Sequence, residues 1–230
     1  MFNSIMFFVT ALVTFGSLVL VSRKFGKEGI FAWVGMAVVV ANVLVCKCVN
    51  LFGLSATLGN VLFGTVFLAT DILTERWGAK VARKAVWVGV SINIIAIVLT
   101  QLALLFIPNE LDMVNDSMKN IFGLYPRVAI ASCTMFIISN QLDIFLFEKI
   151  KKKTNGKKLW LRNNVATIIS QCIENFLFYV IAFAGIYPMS DLVQMTLICC
   201  IIEIVVSIVD TPFLYLALYK IKEDKNNVNI

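Results

Sequence analysis

The chain has 230 residues, 60% of them hydrophobic and 15% charged, and a mean hydropathy of +0.88. Soluble domains average about 45–50% apolar and about 25% charged residues, so a soluble fold is excluded and the class is an all-α polytopic membrane protein. The net charge of +6 lies in short loops, as expected of cytoplasmic loops, and does not mark a nucleic-acid surface.

A membrane-crossing helix needs about 20 mostly apolar residues. Seven stretches meet this: 2–21, 30–49, 52–70, 85–107, 128–147, 165–185 and 192–219. The first is not a cleavable signal: it is long enough to span, and its positive charges follow the run. The third shares a short boundary with the second and contains Gly53, Gly59, Asn60 and Gly64. The last exceeds a ~30 Å hydrocarbon core, and Pro212 is expected to kink it.

Loop charges set the orientation. With the N-terminus outside and the C-terminus inside, the basic loops at 23–27, 76–84, 149–162 and 220–225 all face the cytoplasm. Only Lys47, Lys119 and Arg127 fall outside, and so does the acidic loop with Glu110, Asp112 and Asp116. Removing the first span leaves a six-helix core. The chain therefore divides into 1–28 (an extra N-terminal transmembrane helix and its loop), 29–220 (the core) and 221–230 (a cytoplasmic tail).

Six cysteines lie in or beside apolar spans: Cys46, Cys48, Cys133, Cys172, Cys199 and Cys200. They read as small buried hydrophobes, not as a disulfide framework. The chain has no histidine, so neither a histidine-ligated zinc centre nor a Ser–His dyad is available. No metal, cofactor or enzymatic activity is expected.

Ionisable residues inside a span point to function, because leaving them unpaired in lipid is costly. Asn140 and Asp143 share a face of the fifth span, with Gln141 beside them. On the sixth, Gln171 lies three residues from Glu174 and four from Asn175. Glu203, Ser207 and Asp210 line one face of the seventh. Asn60 lies at mid-depth in the third span. Asn42, Asn93 and Gln101 suit hydrogen bonds between helices. Asp71 and Glu75 fall near the inner boundary, where they are expected to reach Arg76, Lys80 or Arg83. Carboxylates and amides flanked by Phe176, Phe178, Tyr179, Phe145, Phe147, Phe213 and Tyr215 would suit a small planar heterocycle rich in N–H donors.

The segment Phe67-Leu-Ala-Thr-Asp71-Ile-Leu-Thr-Glu75-Arg-Trp-Gly78, with Ala82-Arg83, resembles the signature of the queuosine precursor transporter family, also called the vitamin uptake transporter family. Gln141-Leu-Asp143-Ile-Phe145, Ser170-Gln-Cys-Ile-Glu174-Asn, Ile181-Ala-Phe183 and Asp210-Thr-Pro-Phe-Leu-Tyr215 resemble further blocks in the same order. The resemblance spans roughly residues 40–220. It implies a six-helix core in a bacterial or archaeal inner (plasma) membrane that imports 7-deazapurines such as preQ0, preQ1 or queuine for tRNA modification. Glu174-Asn175 stands where many members carry Asp-Thr, and the span at 2–21 is additional.

The expected site follows. Glu174 takes the ligand's N–H edge beside Gln171 and Asn175, with Asp143 and Asn140 as the facing wall. Glu203 or Asp210 takes up a proton or cation. Asp71 and Glu75, with Arg83, form an inner gate or structural clamp. The alternative is uptake of another flat vitamin or nucleobase, including service as the substrate-binding subunit of an energy-coupling-factor transporter docked through Ala37 and Ala41. The expected partners are a 7-deazapurine and the lipid bilayer, with no direct contact to nucleic acid. Homo-oligomerisation and an energising partner module stay open at this point.

Overall fold

The computed structural model describes residues 2–45, 47–51, 54–123, 125–183 and 188–219. Cys46, Gly53, Tyr187, Lys220, Lys222, Lys225 and the tail 221–230 lie outside them, as do the side chains of Cys48, Tyr125, Arg127, Tyr179 and Phe183. The elements are α1 (Phe2–Leu44), β1 (Cys48–Leu51), β2 (Leu54–Thr57), α2 (Gly59–Trp77), α3 (Ala79–Leu104), α4 (Asn115–Phe122), α5 (Tyr125–Lys153), α6 (Leu159–Phe183) and α7 (Met189–Leu218).

At 43 residues, α1 would be about 65 Å long if straight, over twice a ~30 Å core. It is not straight. Gly26 adopts φ 60° and ψ −142°, backbone that side chains other than hydrogen rarely enter. The Asn3 amide donates to the Asn50 carbonyl at 3.2 Å, so the start of α1 lies beside the strand that follows its end. The chain therefore reverses at Gly26, and α1 is two antiparallel arms. Phe7, Ala11, Phe15 and Leu18 of the first arm and Val34, Ala37, Val38 and Ala41 of the second are buried in one core with α2, α3 and α7. Gly26→Ala is expected to cost about 1–3 kcal/mol, read as a lower melting temperature of the purified protein. An unchanged melting temperature would show that the reversal tolerates a side chain.

The boundary expected between residues 49 and 52 is instead an antiparallel hairpin, with Cys48 opposite Thr57 and Leu51 opposite Leu54. Among the described residues the regular structure is thus helical except for one two-stranded ribbon. Short apolar runs do not distinguish strand from helix by periodicity alone, which is why this piece read as part of a span. Helix α2 starts only at Gly59, tight against α1: a Cβ on Gly59 would sit 2.8 Å from the Ala41 carbonyl. Ala37 and Ala41, with 0% and 3% of their surface exposed, are occupied inside the bundle. Helix α7 is unbroken from Met189 to Leu218 with Pro212 inside it.

Contacts define two ends of the bundle. At one, Arg23 donates to the carbonyls of Leu216 and Tyr219, Glu75 pairs with Lys151 and Arg162, and Arg83 pairs with Glu148. This is the basic end. At the other, Asn3 meets Asn50, and the Gln101 amide donates to the Phe122 carbonyl at 2.7 Å. Phe2–Leu44, Ala79–Leu104 and Leu192–Leu218 are long and apolar enough to cross a membrane. Leu12, Leu20, Ile95, Leu99, Leu197, Ile201 and Ile208 face outward on these helices. In α2, α5 and α6 the apolar pattern is broken by polar side chains, and many of those are buried.

Candidate functional site

The buried polar groups form two strata. The first lies near the basic end. Asp71 (α2), Asp143 (α5) and Asp210 (α7) are each 1% exposed or less. Asp71 stands within hydrogen-bonding reach of Asp143 and in the field of Asp210 and Arg162. Asp143 Oδ1 accepts from the hydroxyls of Thr167 and Ser170, both at 3.2 Å. Asp210 Oδ1 accepts from the Asn163 amide at 2.8 Å. No donor reaches either oxygen of Asp71, nor Asp143 Oδ2, nor Asn163 Oδ1.

One helical turn past Asp71, Glu75 Oε2 receives Arg162 Nη2 at 2.6 Å and Lys151 Nζ at 3.0 Å. Arg162 also donates to the carbonyls of Gly156 (2.9 Å) and Lys157 (3.3 Å), and its guanidinium lies over the Phe147 ring at 5.2 Å. These contacts latch α2, α5 and α6 together.

The second stratum begins about one turn deeper, with Asn140 three residues before Asp143 and Gln171 next to Ser170, and it runs on to Glu203, seven positions before Asp210. The Asn175 amide donates to the Glu203 carboxylate. Ser139 lies within hydrogen-bonding reach of Glu174. Three acceptors here are buried and have no donor: Asn140 Oδ1, Gln171 Oε1 and Glu174 Oε2. Asn140 spends its amide N–H on the Phe136 carbonyl at 3.0 Å. Phe136 meets Phe63 edge-on at 5.5 Å, and Phe63 meets Phe67 at 6.0 Å. These rings cluster between α2 and α5, about one turn from Asn140 along α5.

Several residues stand elsewhere than the sequence led one to expect. Asp71 does not reach for the boundary: it is fully buried with Asp143 and Asp210. Glu75 pairs across to α5 and α6, not with Arg76, Lys80 or Arg83. Arg83 is half-exposed and lies 3.9 Å from Glu148. Phe176, Phe145 and Tyr215 face outward. Phe176 and Phe145 each sit two residues from an acid, and residues two apart point to different sides of a helix. Phe147 is buried but taken by Arg162, and Phe213 packs on Phe15 at 5.5 Å.

The sequence reading missed Arg162, Asn163, Thr167, Ser170, Ser139 and Phe136. The spacing of Asn163, Thr167, Ser170 and Glu174 by four, three and four residues is the signal that would have found the α6 set.

Away from the strata, Asn42 donates to Asn93 at 3.1 Å, Ser132 to Asn42 at 3.2 Å and Asn93 to the Cys133 sulfur at 3.2 Å. These amides knit α1, α3 and α5 together. A cavity of about 290 Å³ lies between the end of α3 and α4, lined by Pro108, Asn109, Asp112 and Met118 among others. It touches none of the buried carboxylates. Among the described residues, no three His, Cys, Asp or Glu side chains gather closely enough to hold a metal ion.

Residues 57–217 match the family described as "Putative vitamin uptake transporter". A protein of Bacillus subtilis (strain 168) named "Probable queuosine precursor transporter" is 40% identical over 228 residues, 99% of this chain and 100% of the relative. The chain belongs to this transporter family. More distant relatives are the "Probable queuosine precursor transporter" of Haemophilus influenzae, 25% identical over 58% of this chain and 54% of its own, and the "Queuosine precursor transporter" of Escherichia coli (strain K12), 23% identical over 62% of each. No solved structure matches. The matched region of this family member contains both strata. Its alignment with the Bacillus relative extends over the first arm of α1 as well.

Proposed function

We propose that this transporter imports a 7-deazaguanine precursor of queuosine, such as preQ0, preQ1 or queuine, across the plasma membrane. The observation that carries the reading is the set of three buried, donorless acceptors on the packed helices α5 and α6: Asn140 Oδ1, Gln171 Oε1 and Glu174 Oε2. Buried acceptors left without donors are costly. A planar ligand whose edge presents several N–H groups supplies what they lack, and Phe136, Phe63 and Phe67 offer apolar surface beside it. The name of the full-length Bacillus relative supports the same substrate class.

In this reading the chain crosses the membrane seven times, α1 twice, with the N-terminus outside and the basic end in the cytoplasm. The first arm (1–28) is an addition to the six-helix core (29–220), and 221–230 forms the tail. Glu174, Gln171, Asn175 and Asn140 hold the ligand, and Glu203 positions Asn175. Glu75 with Arg162, and Arg83 with Glu148, close the cytoplasmic side.

The test is expression in a host unable to make queuosine precursors, with queuosine measured in its tRNA after external preQ1 is supplied. Queuosine is expected with the transporter and not with empty vector. No gain, with the protein shown to be in the membrane, would overturn the reading. Competition by guanine, biotin or riboflavin separates it from uptake of another flat vitamin or nucleobase.

A further inference from the structure

Four carboxylates lie towards the basic end: Asp71 and Glu75 from α2, Asp143 from α5 and Asp210 from α7. The cations facing them are Arg162 of α6 and Lys151 of α5, and both contact Glu75. Arg162 has its other Nη on two backbone carbonyls. The three aspartates therefore have hydroxyl and amide donors at two members and no cation of their own. Asp71 has no donor at all, and the carbonyl oxygen of Asn163, a side chain 0% exposed whose amide is on Asp210, has none either.

Asp71 and Asp143, facing each other with no cation between them, cannot both stay ionised, so positive charge must join the pair. The contact between Asp71 and Asp143 decides its form. Two carboxyl groups in hydrogen-bonding reach are held together by one shared proton.

We propose that Asp71 and Asp143 form a proton-binding pair, flanked by Asp210, that is loaded from one side of the membrane and emptied to the other in each transport cycle. This rests on the import function proposed above. One proton enters between facing oxygens of the two side chains and leaves from the same place, so nothing else is consumed. The position of the pair supplies the coupling. Asp71 and Glu75 are one turn apart on α2, with Arg162 acting on both. With the proton bound, Asp71 does not compete for Arg162 and the Glu75 latch holds. With the proton gone, the two carboxylates repel each other and draw Arg162 from Glu75, which opens the basic end.

The experiment has two readouts on the full-length protein. In the first, infrared spectra of the purified transporter in lipid are recorded across a pH series. The wild type is expected to show a protonated-carboxyl band that is lost in both Asp71→Asn and Asp143→Asn and kept in Glu28→Gln, which alters an exposed acid. A band unaffected by either aspartate substitution would overturn the pair, and the second variant serves if the first does not fold.

In the second readout, proteoliposomes are given labelled preQ1 with an acid-outside pH gradient. Wild type is expected to accumulate it, while both Asn variants exchange it across the membrane but only equalise its concentration. Uptake indifferent to the gradient and to both substitutions overturns the proposal and leaves import standing. The infrared result without any preQ1 uptake overturns the import reading and leaves the pair standing.

Discussion

Arg162→Met is expected to destabilise the protein by about 3–5 kcal/mol, the usual consequence of removing one member of a buried ion pair. The Arg162 side chain is 1% exposed. Its guanidinium does three things at once: it pairs with Glu75 at 2.6 Å, closes the turn after α5 through the carbonyls of Gly156 and Lys157, and covers the Phe147 ring. Methionine replaces only the last of these. Lys151 stays on Glu75 and softens the loss, so the lower part of that range is expected. Glu75→Gln should cost less, because the amide oxygen still accepts from Arg162.

The check is the melting temperature of each variant, followed by size-exclusion of heated samples, and then the double variant. If the pair is coupled, Arg162→Met with Glu75→Gln together will cost less than the two single effects added. Strict additivity would mean that Arg162 acts through the loop carbonyls alone.

Much of the bundle was legible because helical spacing survives in a sequence. Asn140 with Asp143, Gln171 with Glu174, and Glu203 with Asp210 were each placed on one face from their intervals, and each face turns inward. What failed depended on where helices begin. Asp71 read as a boundary residue because a span was drawn over 52–70. In fact α2 starts at Gly59 after a hairpin, which puts Asp71 well inside the helix and brings it to α5 and α7.

The same error hid Arg162 and Asn163. Arg162 counts with the basic inner loop 149–162 and Asn163 follows it without a role, but α6 starts at Leu159 and both are buried. A basic residue in a run of lysines carries no mark that it alone turns inward. The aromatics failed for another reason. Closeness in sequence was taken as closeness in space, although an interval of two sends Phe145 and Phe176 to the opposite side from Asp143 and Glu174. The buried aromatic cluster on α5 is Phe136, one turn before Asn140, with Phe63 and Phe67 from a helix distant in sequence.

Glu174→Gln is expected to weaken preQ1 binding roughly ten- to hundredfold, while Glu203→Gln has the smaller effect. The two carboxylates differ in what already holds them. Glu203 accepts from Asn175, and a glutamine can still accept that bond. Glu174 Oε2 is buried with no donor, so in the proposed site it is the group that waits for the ligand. A hydrogen bond to a charged acceptor contributes about 1.5–3 kcal/mol, and each 1.4 kcal/mol is tenfold in affinity, which gives the range stated.

Binding can be read by titrating labelled preQ1 onto purified protein, apart from the proton movements that govern accumulation. A ligand cycle sharpens the assignment. A deazapurine lacking the exocyclic amine should lose affinity for wild type and lose little further on Glu174→Gln, because the bond it cannot make is the one the substitution has removed. If both ligands weaken equally on the variant, Glu174 does not meet the amine. If Glu174→Gln binds preQ1 as wild type does, the ligand lies outside this stratum altogether.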